Sequence, residues 1–130
     1  MNASQDIMDV IPHRHPFLFL SEISACSKDH AVGHHRFESE AFFKGHFPQH
    51  SIVPGVILIE GLAQTLAYLA LKQVPEDAVM LTGVEDCVIR ASVHPGDRVT
   101  YKVDIIRTKL RMVIAQCEVL VDDKHILKTK

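Results

Sequence analysis

The sequence predicts an α+β fold in which an antiparallel sheet wraps around one long central helix. Three observations lead there. An almost unbroken apolar run from Ile52 to Leu71 is long enough for a buried helix, four β-rich runs follow it, and short turn-forming segments separate those runs. A helix that is apolar on every face must be covered on most sides, which a curved antiparallel sheet can do.

The chain of 130 residues fits a single domain over 1–130, with 47% hydrophobic and 23% charged residues, an ordinary balance for a globular core. In order, Asp6 to Val10 could form a short opening helix that Pro12 stops. Phe17 to Ser27 reads as a strand buried on both faces, and His30 to Phe37 pairs back against it across Lys28-Asp29. Ser39 to Ser51 is an ordered loop rich in Phe, His, Gly and Pro, with one helical turn around Glu40 to Lys44.

Pro54 suits the first helical position because its missing N–H would be unpaired there anyway, and the helix then runs to about Lys72, with Pro75 blocking extension. Strands are expected at Val79–Ser92, Arg98–Thr108, Met112–Val121 and His125–Lys130. The breaks at His94-Pro95-Gly96-Asp97, Lys109-Leu110-Arg111 and Asp122-Asp123-Lys124 are turn formers, which favours an antiparallel meander. This plan is a hot-dog-like arrangement. Its open sheet edges and partly uncovered helix predict a homodimer or a multiple of one, such as a trimer of dimers.

Several function classes are poor fits. A formal net charge of −2 offers no field for nucleic acid, and 6% aromatic residues supply few stacking platforms. Cys26, Cys87 and Cys117 are odd in number and widely spaced, which suits a reducing compartment and makes the cytoplasm the expected location. The start of the chain has no basic run or apolar core typical of a secretory signal. Glu60 and Gln64 in mid-helix, with Pro54-Gly55 near its start, argue against a membrane span.

The chemistry centres on Glu60. A lone carboxylate among Val56, Ile57, Leu58, Ile59 and Leu62 is costly to bury charged, so it needs either hydrogen-bonding caps or a catalytic role. Gln64, one turn further on the same face, can hold either that carboxyl or the group it acts on. His46, between Gly45 and Phe47-Pro48, offers an imidazole base beside an apolar wall from Phe43 and Phe47. Pro54 and Gly55 leave the N–H groups of the first helical turn open to an oxygen that gains negative charge. A base, an acid and an amide donor suffice to remove a proton beside a thioester carbonyl and expel a β-hydroxyl as water.

The ordered motifs Pro12-His13-Arg14-His15-Pro16-Phe17-Leu18, Phe42-Phe43-Lys44-Gly45-His46-Phe47-Pro48, Ile52-Val53-Pro54-Gly55-Val56, Glu60-Gly61-Leu62-Ala63-Gln64 and Val93-His94-Pro95-Gly96-Asp97 resemble the β-hydroxyacyl-[acyl carrier protein] dehydratases. The resemblance implies a hot-dog fold with active sites at a dimer interface, each pairing the loop histidine of one subunit with the helix glutamate of the other. It implies His46 as base and Glu60 as acid, with Gly55 as carbonyl-oxygen donor and Val56, Gln64, Phe47, Pro54 and Ile89 among the substrate-binding residues. The implied substrate is a (3R)-hydroxyacyl chain tethered by phosphopantetheine to acyl carrier protein, converted to the trans-2-enoyl form without a cofactor. A glutamate at position 60 looks like the plain dehydratase branch, the related dehydratase/isomerase branch having aspartate there.

The chain departs from that pattern at His15, Ser21, Ser51 and Gly61, where the family usually has Tyr, Asp, Pro and Ala, and at Ile89, which replaces an aromatic residue of the acyl tunnel. These changes suit a specialised acyl pathway, for example polyene synthesis, with Ile89 altering the tunnel mouth. His46 and His50 stand at an interval used by some zinc sites, but Pro48 interrupts a helix there and no metal is expected. Arg90, Lys102, Arg107, Lys109 and Arg111 could form a basic rim for an acidic carrier protein, or simply a solvated sheet face. The alternatives to a dehydratase are a hot-dog thioesterase, which needs no base aimed at the α-carbon, and a non-catalytic acyl-binding partner subunit.

Overall fold

In the computed structural model, which describes residues 3–38, 40–74, 79–109 and 112–130, a 19-residue helix packs against a six-stranded sheet. The elements are α1 (Ala3–Val10), β1 (Glu22–Cys26), β2 (His30–Arg36), a 3-10 turn (Ala41–Lys44), α2 (Gly55–Gln73), β3 (Val88–Ile89), β4 (Arg98–Lys109), β5 (Met112–Val121) and β6 (Lys124–Thr129). The spatial order is β1-β2-β4-β5-β6-β3, with each neighbouring pair antiparallel.

Helix α2 lies mainly against β4, β2 and β5. Along β4 the buried residues are Val99, Tyr101 and Val103, the period of two expected of a strand with one face on the core. Length and composition would let α2 cross a membrane, but here it is the core helix, with Leu58, Leu62, Leu69 and Leu71 buried. Gly61 makes this packing possible: a Cβ there would lie 2.2 Å from both Cζ and the hydroxyl oxygen of Tyr101, so the ring of β4 rests directly on the helix backbone. Gly61, one of the positions at which the chain departs from the pattern that it resembles, accommodates that tyrosine.

The helix, the β1–β2 hairpin and the strands β4, β5 and β6 fall where the sequence places them, within one or two residues at most ends. Helix α2 starts at Gly55, with Pro54 just outside as the capping residue rather than at the first helical position. Two strands are much shorter than expected. The run from Phe17 forms ladder structure only from Glu22, because the Gln64 side chain takes up the Phe19 N–H and the Phe17 carbonyl that a strand neighbour would have used.

The run from Val79 pairs only at Val88–Ile89, against Leu127 and Lys128, preceded by a two-bond bridge between Glu85 and Lys130. It therefore closes the far edge of the sheet rather than continuing a meander. Within this run Val79, Met80, Leu81 and Val84 are exposed. The expected stop at Pro75 and two residues of the expected turn, Leu110 and Arg111, lie outside the described residues.

Candidate active site

His46 follows the 3-10 turn, where its backbone N–H donates to the Phe42 carbonyl at 2.9 Å. Its ring Nδ1 lies 3.1 Å from the Ile52 carbonyl oxygen. A carbonyl can only accept, so Nδ1 carries the proton and Nε2 is left with the lone pair, the form a general base requires. The Ile52 N–H returns a bond of 3.0 Å to the His46 carbonyl, and the Phe47 ring stacks on the imidazole at 4.3 Å between centroids. The His46–Phe47 peptide is cis. Phe47 itself is exposed, and His46 is half-buried.

Glu60 projects from the second turn of α2. Gln64 Nε2 donates to its Oε2 at 2.9 Å, the one-turn spacing that places both on a single helix face. The same Gln64 amide donates to the Phe17 carbonyl at 2.9 Å, and its Oε1 accepts the Phe19 N–H at 2.8 Å. Gln64 is fully buried, so of the two uses the sequence left open, holding the carboxyl is the one that it performs. It ties Glu60 to the incoming N-terminal segment.

That segment brings a residue to which sequence reasoning gave no role. His13 Nε2 stands 3.6 Å from Glu60 Oε2, with the two side chains 27% and 22% exposed. The available signal was a histidine in a stretch made rigid by Pro12 and Pro16, opposite a carboxylate that needed a partner.

At the head of α2, Pro54 accepts the N–H of Ile57 at 2.9 Å and of Leu58 at 3.4 Å, which leaves the N–H groups of Gly55 and Val56 free of helical partners. Val56 is 71% exposed. Ile89 of β3 leans over this end of the helix, its Cδ1 2.6 Å from where a Gly55 Cβ would stand. Gly55 is thus needed for the close approach of Ile89, and Pro54, Gly55, Val56 and Ile89 make one surface.

Behind His46 the loop is anchored by His35 on β2, whose imidazole joins Ser21 Oγ at 2.5 Å to Glu40 Oε1 at 3.2 Å. Burial pushes His35 below the ordinary imidazole range, an effect that the Glu40 bond partly offsets. A neutral ring donating to Glu40 and accepting from Ser21 satisfies all three groups.

Within one chain no hydrogen bond or ion pair joins His46 to Glu60 among the described residues. Each is locked by its own neighbourhood: His46 by Ile52, and Glu60 by Gln64. Among the described residues no group of three or more His, Cys, Asp and Glu side chains is placed to hold a metal ion.

Comparison with known proteins bears directly on this site. A family model described as the FabA-like domain matches residues 11–130. The 3-hydroxyacyl-[acyl-carrier-protein] dehydratase FabZ of Thermotoga maritima is 37% identical over 125 residues, covering 95% of this chain and 90% of that one. The protein of the same name from Petrotoga mobilis is 34% identical over 134 residues, covering 92% of this chain and 96% of its own. Among solved structures, the dehydratase heterocomplex ApeI:P from Xenorhabdus doucetiae superposes with a TM-score of 0.80 at 15% identity, covering 95% of this chain and 86% of that one, a likeness of hot-dog fold.

Proposed function

This chain belongs to the FabA-like family, and we propose that His46 and Glu60 are its catalytic pair, each supplied to a given site by a different copy of the chain. The reaction is dehydration of a 3-hydroxyacyl chain carried on acyl carrier protein to the 2-enoyl chain, a step of fatty-acid synthesis. His46 Nε2 accepts the α-proton of the (3R)-hydroxyacyl thioester. The C–H electron pair becomes the new trans double bond, the Cβ–O bond breaks, and Glu60 protonates the leaving oxygen, which departs as water. The free N–H of Gly55 receives the thioester oxygen as negative charge gathers on it.

One observation carries this reading: the Ile52 carbonyl fixes the His46 proton on Nδ1 and frees Nε2, yet among the described residues no carboxylate is bonded to the imidazole. A second copy supplies the missing acid. The apolar, exposed edge from Val79 to Ile89 and the bare Val56 at the helix head offer the surface for such a copy, giving a homodimer or a multiple of dimers. The acyl carrier protein presents its phosphopantetheine arm at this interface. Ile89, resting on Gly55, borders the mouth of the acyl tunnel and sets its width for the chain carried, whether an ordinary fatty acyl or a specialised one. The expected location is the cytoplasm.

The test is purified protein with a 3-hydroxyacyl-carrier thioester, read by mass spectrometry. Loss of water from an intact thioester is expected, whereas release of a free acid would mark a thioesterase. His46→Ala should lower kcat by about 10²–10⁴-fold in a protein that remains folded. Turnover by that variant at the parental rate would refute the assignment.

A further inference from the structure

We infer that His13 is a positioning residue for Glu60, acting with Gln64 to designate Oε2 as the hydrogen-bond-accepting oxygen and so leave Oε1 to carry the proton delivered to substrate. The inference rests on the reading of Glu60 as the acid. It starts from a convergence: Gln64 Nε2 at 2.9 Å and His13 Nε2 at 3.6 Å both approach Oε2, and Oε1 has no partner among the described residues. A protonated carboxyl has one oxygen that donates and one that only accepts. The Gln64 N–H bonded to Oε2, with His13 Nε2 beside the same oxygen, makes Oε2 the acceptor, which places the O–H on Oε1.

The histidine is held rigidly enough to do this. The Arg14 guanidinium donates to the carbonyls of Met8, Ile11 and His13 at 2.8, 2.8 and 2.7 Å, closing the end of α1 and fixing the His13 backbone. The Tyr68 hydroxyl donates to Asp6 at 2.5 Å, docking α1 on α2. Gln64 clamps Phe17 and Phe19 on the other side of the same segment. His13 is therefore fastened both before and after its position in the chain. Its Nδ1 is buried without a hydrogen-bond partner among the described residues, so the imidazole's one polar contact is with Glu60.

At 3.6 Å the contact is electrostatic rather than a hydrogen bond, and catalytic contacts of this kind commonly tighten when substrate arrives. The benefit falls after proton transfer. Once Oε1 has given its proton to the leaving hydroxyl, the new carboxylate charge spreads to Oε2, where the Gln64 N–H is already bonded and His13 Nε2 stands 3.6 Å away. The titratable groups facing Glu60 are His13, from the segment after α1, and Tyr101 of β4, whose phenol burial keeps protonated. In the proposed dimer His46 of the other copy joins them.

The experiment compares His13→Phe, which keeps a ring and removes the donor, with His13→Gln, which restores a neutral N–H, both as full-length protein on a 3-hydroxyacyl-carrier substrate. For His13→Phe, kcat is expected to fall about 10²-fold, the scale for a misplaced catalytic group, with KM nearly unchanged. His13→Gln should recover much of kcat. Equal loss of kcat in both variants would show a packing role only, and parental kcat in His13→Phe would overturn the inference outright. Glu60→Gln is run beside them: if it is inactive while His13→Phe behaves as the parent, the positioning role fails alone, and if it is active, the reading of Glu60 fails with it. Urea melts of the variants identify any loss that arises from unfolding.

Discussion

The two sides of α2 are finished to different degrees. On the N-terminal side, Gln64 satisfies three groups at once, Arg14 closes α1, and Asp6 receives the Tyr68 hydroxyl. On the other side, the run from Val79 to Ile89 offers exposed apolar side chains, including Met80 at 82%, and has only Val88 and Ile89 in the ladder. Sheet edges with apolar faces are left open in this way where another chain is to cover them. One side of the helix therefore holds the Glu60 carboxyl in place by itself, and the other is where the proposed dimer brings in its second copy, His46 and Glu60 not being joined within one chain.

The largest expected effect follows from breaking the open side. Leu81→Glu places a charge on the exposed edge, and size-exclusion with light scattering should show a monomer with turnover near background. A dimer of full activity would mean that this edge is not the interface. Next comes the closed side: Gln64→Leu removes the partner of the buried Phe19 N–H, at a cost of about 1–3 kcal/mol for that group alone, and takes a donor from Glu60. Urea denaturation should report the lost stability, and kcat should fall as well; a variant matching the parent in both would show that the clamp contributes nothing.

The smallest effect concerns pH. His35 titrates below its ordinary range in the folded protein because it is buried, so on acidification the unfolded chain takes up a proton there before the folded one does. Stability from this group is complete above the ordinary imidazole range and declines as pH falls through that range toward the lowered folded value. Denaturant melts from about pH 7 to about pH 5.5 should show stability falling, and falling less steeply in His35→Gln. Equal slopes would indicate that His35 is not the group responsible.

The same contrast explains what the sequence makes legible. α2 and strands β4 to β6 are encoded locally, in an apolar run and in alternating stretches with turn formers between them, and their positions follow from the residues alone. Phe17–Leu20 is as apolar as a strand but is not one, because a glutamine distant in sequence occupies its backbone groups. The run from Val79 looks like a long strand because it has a strand's composition, yet its ladder inside one chain ends after two residues. At the site, His46 and Glu60 stand out by residue type and surroundings. His13 lies in the stretch between Pro12 and Pro16, yet its partnership with Glu60 becomes visible only once the chain folds back over α2, because the two are distant in sequence.

The central claim, that each site draws its base from one chain and its acid from another, is tested most directly by complementation. His46→Ala and Glu60→Gln proteins, each inactive alone, are unfolded together and refolded as a mixture. Randomly paired chains should recover about one quarter of parental activity, since about half of the dimers then contain one site with both groups intact. Folded mixed dimers without any recovered turnover would contradict the account.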